Sequence, residues 1–248
     1  MTEIDIQPGL IQRLQTARHI GVLTGAGVSA ESGIPTFREA QTGLWARYNP
    51  EELASADAFR KNPKLVWEWY EWRRSLVRDA LPNASHYTLA ALENRVDRMT
   101  LITQNVDGLH QRAGHRVVIE LHGNLTRNRC FREDVVVEAE MGDTQIPPTC
   151  PRCGAPLRPD VVWFGESLPV EALRAAALAA ATSDLFLSIG TSALVHPAAS
   201  LPLEALRRGI PTVEINLART PLTPYVDYAL SGAAGVVLPA LLKAAWPA

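Results

Sequence analysis

Apolar residues recur along the chain in two rhythms. Over residues 9–17, 85–92, 170–181 and 199–208, and again from Leu65 onward, they return at the three- and four-residue intervals of a helix with one buried face. Between these stretches lie short continuous apolar runs: one near Ile20, then residues 99–102, 117–121, 184–189 and 211–216. A run without polar alternation suits a strand covered on both faces. Such strands alternating with helices predict an α/β fold built on a Rossmann-like, doubly wound parallel sheet. Residues 160–164 read as extended, and Val236 is expected to open the last strand–helix unit. No internal repeat or low-complexity stretch interrupts the pattern.

Two stretches leave it. Residues 38–80 carry Pro50, Pro63 and a dense aromatic set (Trp45, Tyr48, Trp67, Trp69, Tyr70, Trp72), and read as a helical insert. Residues 126–156 turn to Cys, Arg, Glu and Pro with weak periodicity and read as a second insert. The expected division is a main α/β domain from residues 1–38, 81–125 and 158–248, with a small domain made of a helical insert, 39–80, and a zinc-ribbon-like insert, 126–157.

The first strand ends in Thr24 and runs into Gly25-Ala26-Gly27-Val28-Ser29-Ala30, which fits G-x-G-x-x-G/A between a strand and a helix. In that pattern Gly25 permits a tight turn, Gly27 lets backbone N–H groups approach a pyrophosphate, and Ala30 lets helix and strand pack closely. The continuation is unusual. Ser32-Gly33-Ile34-Pro35 ends the helix early, and Glu51 and Glu52, at the distance where a dehydrogenase has its acidic strand end, follow the turn signal Asn49-Pro50. The loop therefore reads as a nucleotide cradle with an atypical cover, which argues against a dehydrogenase.

Composition narrows the class further. A chain of 248 residues with a net charge of −2 buries an ample core and offers no electrostatic case for nucleic acid. Three cysteines, two of them in a C-x-x-C, argue against a disulfide framework and for a reducing compartment. The acidic start Met1-Thr2-Glu3-Ile4-Asp5 resembles neither a signal nor a transit peptide, and no apolar run reaches membrane-spanning length. The expectation is a cytoplasmic enzyme, monomeric or weakly associating, with no membrane partner.

Polar residues cluster where apolar runs end: Thr24 to Ser29, Gln104, Asn105 and Asp107, His122, Gly190-Thr191-Ser192, and Asn216. Any one of them serves as a cap or turn residue, but in an open α/β sheet all project into one crevice at the carboxyl ends of the strands. With the motifs GAGVSAESGIPTFR, TQNVDGLH, HG, PDVVWFGE, GTS and INL in that order, the sequence resembles the sirtuins, the NAD-dependent protein deacylases. The resemblance covers most of the chain. It implies cleavage of the nicotinamide–ribose bond of NAD, with the acyl oxygen of a modified lysine attacking the anomeric carbon. It makes His122 the general base acting through the ribose hydroxyls, a task that suits an imidazole. Asn105 and Asp107 would line the nicotinamide pocket, and Gln104 would hold the ribose. Arg38 would meet phosphate or order the cover, and Phe37 would shield the reactive face. Gly25, Ala26, Gly27, Ala30, Gly190, Thr191, Ser192 and Asn216 would contact the rest of the dinucleotide. Val161, Val162, Trp163 and Phe164 would pair with substrate backbone as an edge strand.

Within WEWYEWRR, Tyr70 and Arg73 lie three residues apart and share a helix face. The pair resembles the Y-x-x-R signature of desuccinylase-type sirtuins, which implies recognition of succinyl- and malonyl-lysine, with deacetylation retained. The alternative is a core Tyr70 with Arg73 and Arg74 solvated. The second insert departs from the family's four zinc-binding cysteines: Cys130, Cys150 and Cys153 are present, but Glu133 stands where the second is expected. Either Glu133 completes a structural zinc site, or the metal is lost and Glu133 is a surface charge; the Cys and His usage of structural zinc weighs toward the second. A non-catalytic NAD or ADP-ribose sensor and an ADP-ribosyltransferase are the rival functions. The intact Asn105, Asp107 and His122 set argues against a sensor, while ADP-ribosyl transfer stays open.

Overall fold

The computed structural model describes residues 4–35, 49, 53–138 and 145–247. Phe37, Arg38 and the aromatic residues Trp45 and Tyr48 lie outside the described residues. The main sheet has six parallel strands in the order β3-β2-β1-β7-β8-β9. These are β1 (His19–Thr24), β2 (Arg98–Thr103), β3 (Val118–Glu120), β7 (Leu185–Ile189), β8 (Thr212–Asn216) and β9 (Tyr228–Ser231). The chain order reverses between β1 and β7, the switch point where a doubly wound sheet opens a crevice.

Both faces of the sheet are covered, as its unbroken apolar runs require. On one face Ile20, Val22, Leu101, Leu187 and Val213 pack with Leu10 and Leu14 of α1 (Pro8–Thr16), Leu89 and Leu92 of α5 (Ala84–Glu93) and Val237, Leu238 and Leu241 of α9 (Ala234–Ala245). On the other, Leu23, Ile102 and Phe186 pack with the alanines of α7 (Val170–Thr182) and with Leu201 and Ala205 of α8 (Leu201–Arg207). Among the described residues no helix is long and apolar enough to cross a membrane.

One expectation is corrected. Val236 opens no strand; it lies inside α9, and the last strand is β9, which precedes it. β9 is an edge strand with Leu230 as its one buried residue, so its apolar signal is weak, whereas Val237 and Leu238 beside Val236 form a buried helix face.

The second layer is a three-stranded antiparallel sheet, order β5-β4-β6, from β4 (Gly123–Cys130), β5 (Val136–Val137) and β6 (Leu157–Val161). Two helices lie against it, α3 (Ala56–Lys61) and α4 (Pro63–Asp79), through Phe59, Val66, Trp69, Tyr70 and Val77 packed on Leu125, Val161 and Trp163. Asn62 caps α4 by accepting from the Leu65 N–H, with Pro63 at the first helical position. Arg74 is no solvated charge: it donates to the Leu125 and Arg127 carbonyls and to Asn128 Oδ1, stitching α4 to β4. Between β1 and the small sheet lie the short helices α2 (Ala26–Ala30) and α6 (Leu109–Arg112).

Candidate active site

The glycine loop after β1 meets the loop after β7 backbone to backbone. Gly25 N–H donates to the Ile189 carbonyl at 3.0 Å and Gly27 N–H to the Gly190 carbonyl at 2.9 Å. A Cβ on Gly27 would stand 2.8 Å from the Gly190 Cα, and one on Gly190, held at φ +61°, would stand 2.7 Å from the Val28 nitrogen. This adds a second role to the one read for Gly27. Its N–H is spent on the neighbouring loop, and the glycines are needed so that two loops touch where a dinucleotide would lie across them. Asn216, at the end of β8, extends the seam by donating to the Thr191 carbonyl at 2.7 Å, and Ser192 is exposed beside it.

The polar residues after β2 turn back toward that loop. Asn105 gives both amide hydrogens, to the Gly25 carbonyl and to Ser29 Oγ, each at 3.0 Å, which leaves its Oδ1 as an acceptor. Ser29 passes its own proton to Asp107 Oδ2 at 2.8 Å. Asp107 Oδ1 accepts the Leu109 N–H at 2.9 Å, and Gly108 takes the left-handed conformation (φ +69°) that lets the carboxylate cap its own following turn. Burial raises the pKa of Asp107, opposed by the Leu109 and Ser29 bonds and by Arg112. Ser29 was given no separate role from sequence. The signal was there: it is the one hydroxyl inside the G-x-G-x-x-A run.

His122 sits in the turn between β3 and β4. Its Nδ1 faces the Gln104 carbonyl at 2.9 Å; a carbonyl can only accept, so Nδ1 carries the hydrogen and Nε2 is left basic. Burial lowers the pKa of His122, and the bond to Gln104 partly restores it. The Gly123 that follows has φ +79°, and a Cβ there would lie 2.1 Å from the Asp160 carbonyl oxygen. Gly123 is therefore a steric requirement of the β4–β6 pairing. Gln104, Asn105 and His122 are half-buried and Asp107 is buried.

Tyr70 and Arg73 share one face of α4, as expected. The Arg73 guanidinium lies 5.1 Å from the Trp69 ring centre and 5.8 Å from that of Tyr70. Burial lowers the Arg73 pKa, while the charges of Tyr70 and Asp107 raise it, so the guanidinium stands within electrostatic reach of the pocket carboxylate. Residues 161–164 are not a free edge. The N–H groups of Val162, Trp163 and Phe164 donate to the His122 carbonyl, to Glu166 Oε2 and to the Ala54 carbonyl, and the Trp163 carbonyl accepts from Glu166. Val161 already pairs with Gly123. The N–H groups of this stretch are thus used inside the chain, and among the described residues the Val162 carbonyl has no partner, so it is a group a substrate backbone could use.

In the small domain Cys130, Glu133, Cys150 and Cys153 place one ligand atom each within 4.8 Å of one another. Three thiols and a carboxylate gathered this closely are a donor set compatible with a tetrahedral structural zinc. The cluster supports the zinc-site reading over the lost-metal one, because the carboxylate of Glu133 lies in it. Arg152 pairs with Glu133 Oε2 at 2.9 Å, which helps to orient the carboxylate. Burial raises the Cys130 thiol, but the N–H groups of Glu133 and Arg132 outweigh it and favour the thiolate.

A parallel sheet of this order, with facing glycine loops at its switch point and a basic histidine held by the loop after β2, defines a Rossmann-type enzyme that uses a dinucleotide. The model of the Sir2 family matches residues 25–197. A curated relative from Methylococcus capsulatus, an NAD-dependent protein deacylase, is 54% identical over 95% of this chain and 95% of its own. NAD-dependent protein deacylase 1 of Pseudomonas aeruginosa is 50% identical over 96% and 98%. Among solved structures, a Sir2 homologue in complex with NAD superposes with a TM-score of 0.91 at 48% identity, covering 97% of this chain and 94% of that one. A mutant Sir2 homologue bound to 2′-O-acetyl-ADP-ribose gives a TM-score of 0.89 at 50% identity, with 96% of each chain covered. The chain belongs to the Sir2 family.

Proposed function

We infer that this chain is an NAD-dependent protein-lysine deacylase that removes succinyl and malonyl groups, and acetyl groups as well, and releases nicotinamide and O-acyl-ADP-ribose. NAD, when bound, supplies an anomeric carbon that loses nicotinamide and takes the acyl oxygen. The chain's own residues do the rest. Asn105 Oδ1 accepts from a carboxamide N–H and orients it. Asp107, held by Ser29 and Leu109, puts negative charge where the sugar becomes positive. His122 Nε2 takes the ribose hydroxyl proton, its tautomer held by Gln104. Glycine loops that touch each other leave a crevice floor without side chains, against which a pyrophosphate can lie. The 2′-O-acetyl-ADP-ribose held by a structural relative supports the product assigned here.

The observation that carries the acyl choice is the placement of Arg73, half-buried against the Trp69 and Tyr70 rings and within electrostatic reach of Asp107. A guanidinium there offers two donors to a terminal carboxylate, which succinyl and malonyl chains have and acetyl lacks. The rival sensor has no use for a base held in one tautomer. The test is mass spectrometry of acetyl-, succinyl- and malonyl-lysine peptides with and without NAD, on the wild type, His122→Ala and Arg73→Met. NAD-dependent deacylation lost in His122→Ala, and acidic-acyl turnover selectively lost in Arg73→Met, are expected. NAD binding without turnover of any peptide would leave the sensor or the ADP-ribosyltransferase.

A further inference from the structure

Tyr70 has 2% of its surface exposed, and its hydroxyl receives the Trp163 indole N–H at 2.9 Å. An indole nitrogen only donates, so the phenol oxygen is the acceptor in this bond, and among the described residues no group accepts its own proton. Burial pushes the Tyr70 pKa up to about 12, so the phenol keeps that proton near neutral pH. Trp163 in turn is clamped. The Arg158 guanidinium lies 3.4 Å from its ring centre, and Phe59 flanks it at 5.3 Å. Arg158, itself buried, donates to both oxygens of Glu166 and to the Val161 carbonyl, and Glu166 Oε2 accepts the Trp163 backbone N–H at 2.8 Å. A charged, bidentate pair therefore fixes the indole plane, and the indole fixes which way the phenol can point its hydrogen.

We propose that Trp163, held by Arg158 and Glu166, is a specificity-determining positioning residue: by occupying a lone pair of Tyr70 it turns the phenol into a hydrogen-bond donor for the carboxylate of an acidic acyl group. This rests on the acidic-acyl reading of Tyr70 and Arg73. Arg73 carries donors and no acceptor, so a phenol left to rotate could turn its proton away from an incoming carboxylate. Held as a donor, it presents a second N–H- or O–H-type contact beside the guanidinium. An acetyl group has no terminal oxygen to receive either, so the device acts on the choice among acyl groups and not on the chemistry common to them.

The experiment measures kcat and KM for succinyl- and acetyl-lysine versions of one peptide with saturating NAD. It uses the wild type, Trp163→Phe, Tyr70→Phe, the double variant and Arg73→Met. Trp163→Phe is expected to lower the succinyl-to-acetyl ratio of kcat/KM about fivefold, mainly through the succinyl KM, because the phenol–carboxylate bond is weakened and not removed. Added to Tyr70→Phe, it should leave that ratio where Tyr70→Phe put it. If Trp163→Phe fails to fold, benzothienylalanine at position 163, which swaps the indole N–H for sulfur with little change of shape, replaces it. An unchanged ratio, or an equal further drop in the Tyr70→Phe background, overturns the proposal. If Arg73→Met also leaves the ratio unchanged, the acidic-acyl reading itself falls; if Arg73→Met lowers it and Trp163→Phe does not, only the role of Trp163 falls.

Discussion

The crevice at the end of the main sheet and the small domain beside it are built in opposite ways. In the crevice the decisive contacts are main chain on main chain, Gly25 and Gly27 against Ile189 and Gly190, with side chains such as Asn105 and Asn216 tying loop to loop. In the small domain they run from side chain to side chain: a thiolate–carboxylate cluster, a buried Asp160 gripped by Arg127 and Arg129, and an aromatic stack from Phe59 to Trp163. A backbone seam has no slack, since any Cβ is a collision. A side-chain core has alternatives, since rotamers and ligands can be exchanged. The comparison implies that substitutions are tolerated more readily in the small domain than in the crevice.

The sharpest way to break that contrast is Gly190→Ala. The added Cβ meets the Val28 nitrogen at 2.7 Å at a φ of +61°, so neither side can yield cheaply. It should cost about 3 kcal/mol, lower the melting temperature by roughly 10 °C and remove NAD binding in a calorimetric titration. A normal melt with normal NAD affinity would mean that the two loops can part. Next comes the metal. The wild type should carry about one zinc per chain by atomic emission. Cys150→Ser should lose the metal and peptide turnover, while NAD still binds the main sheet. Loss of NAD binding together with zinc would mean that the two regions are one cooperative unit. Glu133→Cys should hold zinc against a chelator longer than the wild type, because thiolate is the softer ligand.

The smallest effect expected concerns acid. Beneath the crevice His86, His110 and His115 are buried, with ring centres 4.8 and 5.3 Å apart, Glu93 bound to His115, and Thr24 bound to His110. Burial lowers all three pKa values, that of His86 to about 4, with the neighbouring histidines adding to the shift for His86 and His110. The unfolded chain therefore binds more protons than the native one, and stability falls as pH drops below the ordinary value of 6.5. For His86 the loss between pH 6.5 and 5 is about 2 kcal/mol. Denaturant midpoints measured across that range should fall, and His86→Gln should flatten the slope. A slope unchanged in His86→Gln would remove His86 as its source.

Much of this was legible from the residues alone. The main strands and helices follow from period and run length because both faces of the sheet are buried. Of the main sheet, the strand that the pattern does not reveal, β9, is an edge with little apolar signal; β4 and β5 of the small sheet lie in a stretch of weak periodicity. The strand-end polar residues were found because a Rossmann sheet sends every carboxyl end to one crevice. What local pattern could not decide was which groups are already spent. The N–H of Gly27 and the donors of residues 162–164 have partners far away in sequence, at Gly190, His122 and Ala54. The tautomer of His122, the joining of Ser29 to Asp107, and the indole bond to Tyr70 are likewise contacts between separate segments.

The amino-acid sequence by itself determined the alternation of strand and helix, the glycines of the two loops, the residue types of the crevice and the three cysteines with Glu133. Those depend on local geometry and on chemistry that each residue carries with it. The tertiary structure alone decided that Glu133 joins the thiols, that the glycines serve to bring two loops together, and that Trp163 points its donor at Tyr70. Each of these is a distance between residues remote in the chain, and such a distance is set by the packing of the whole.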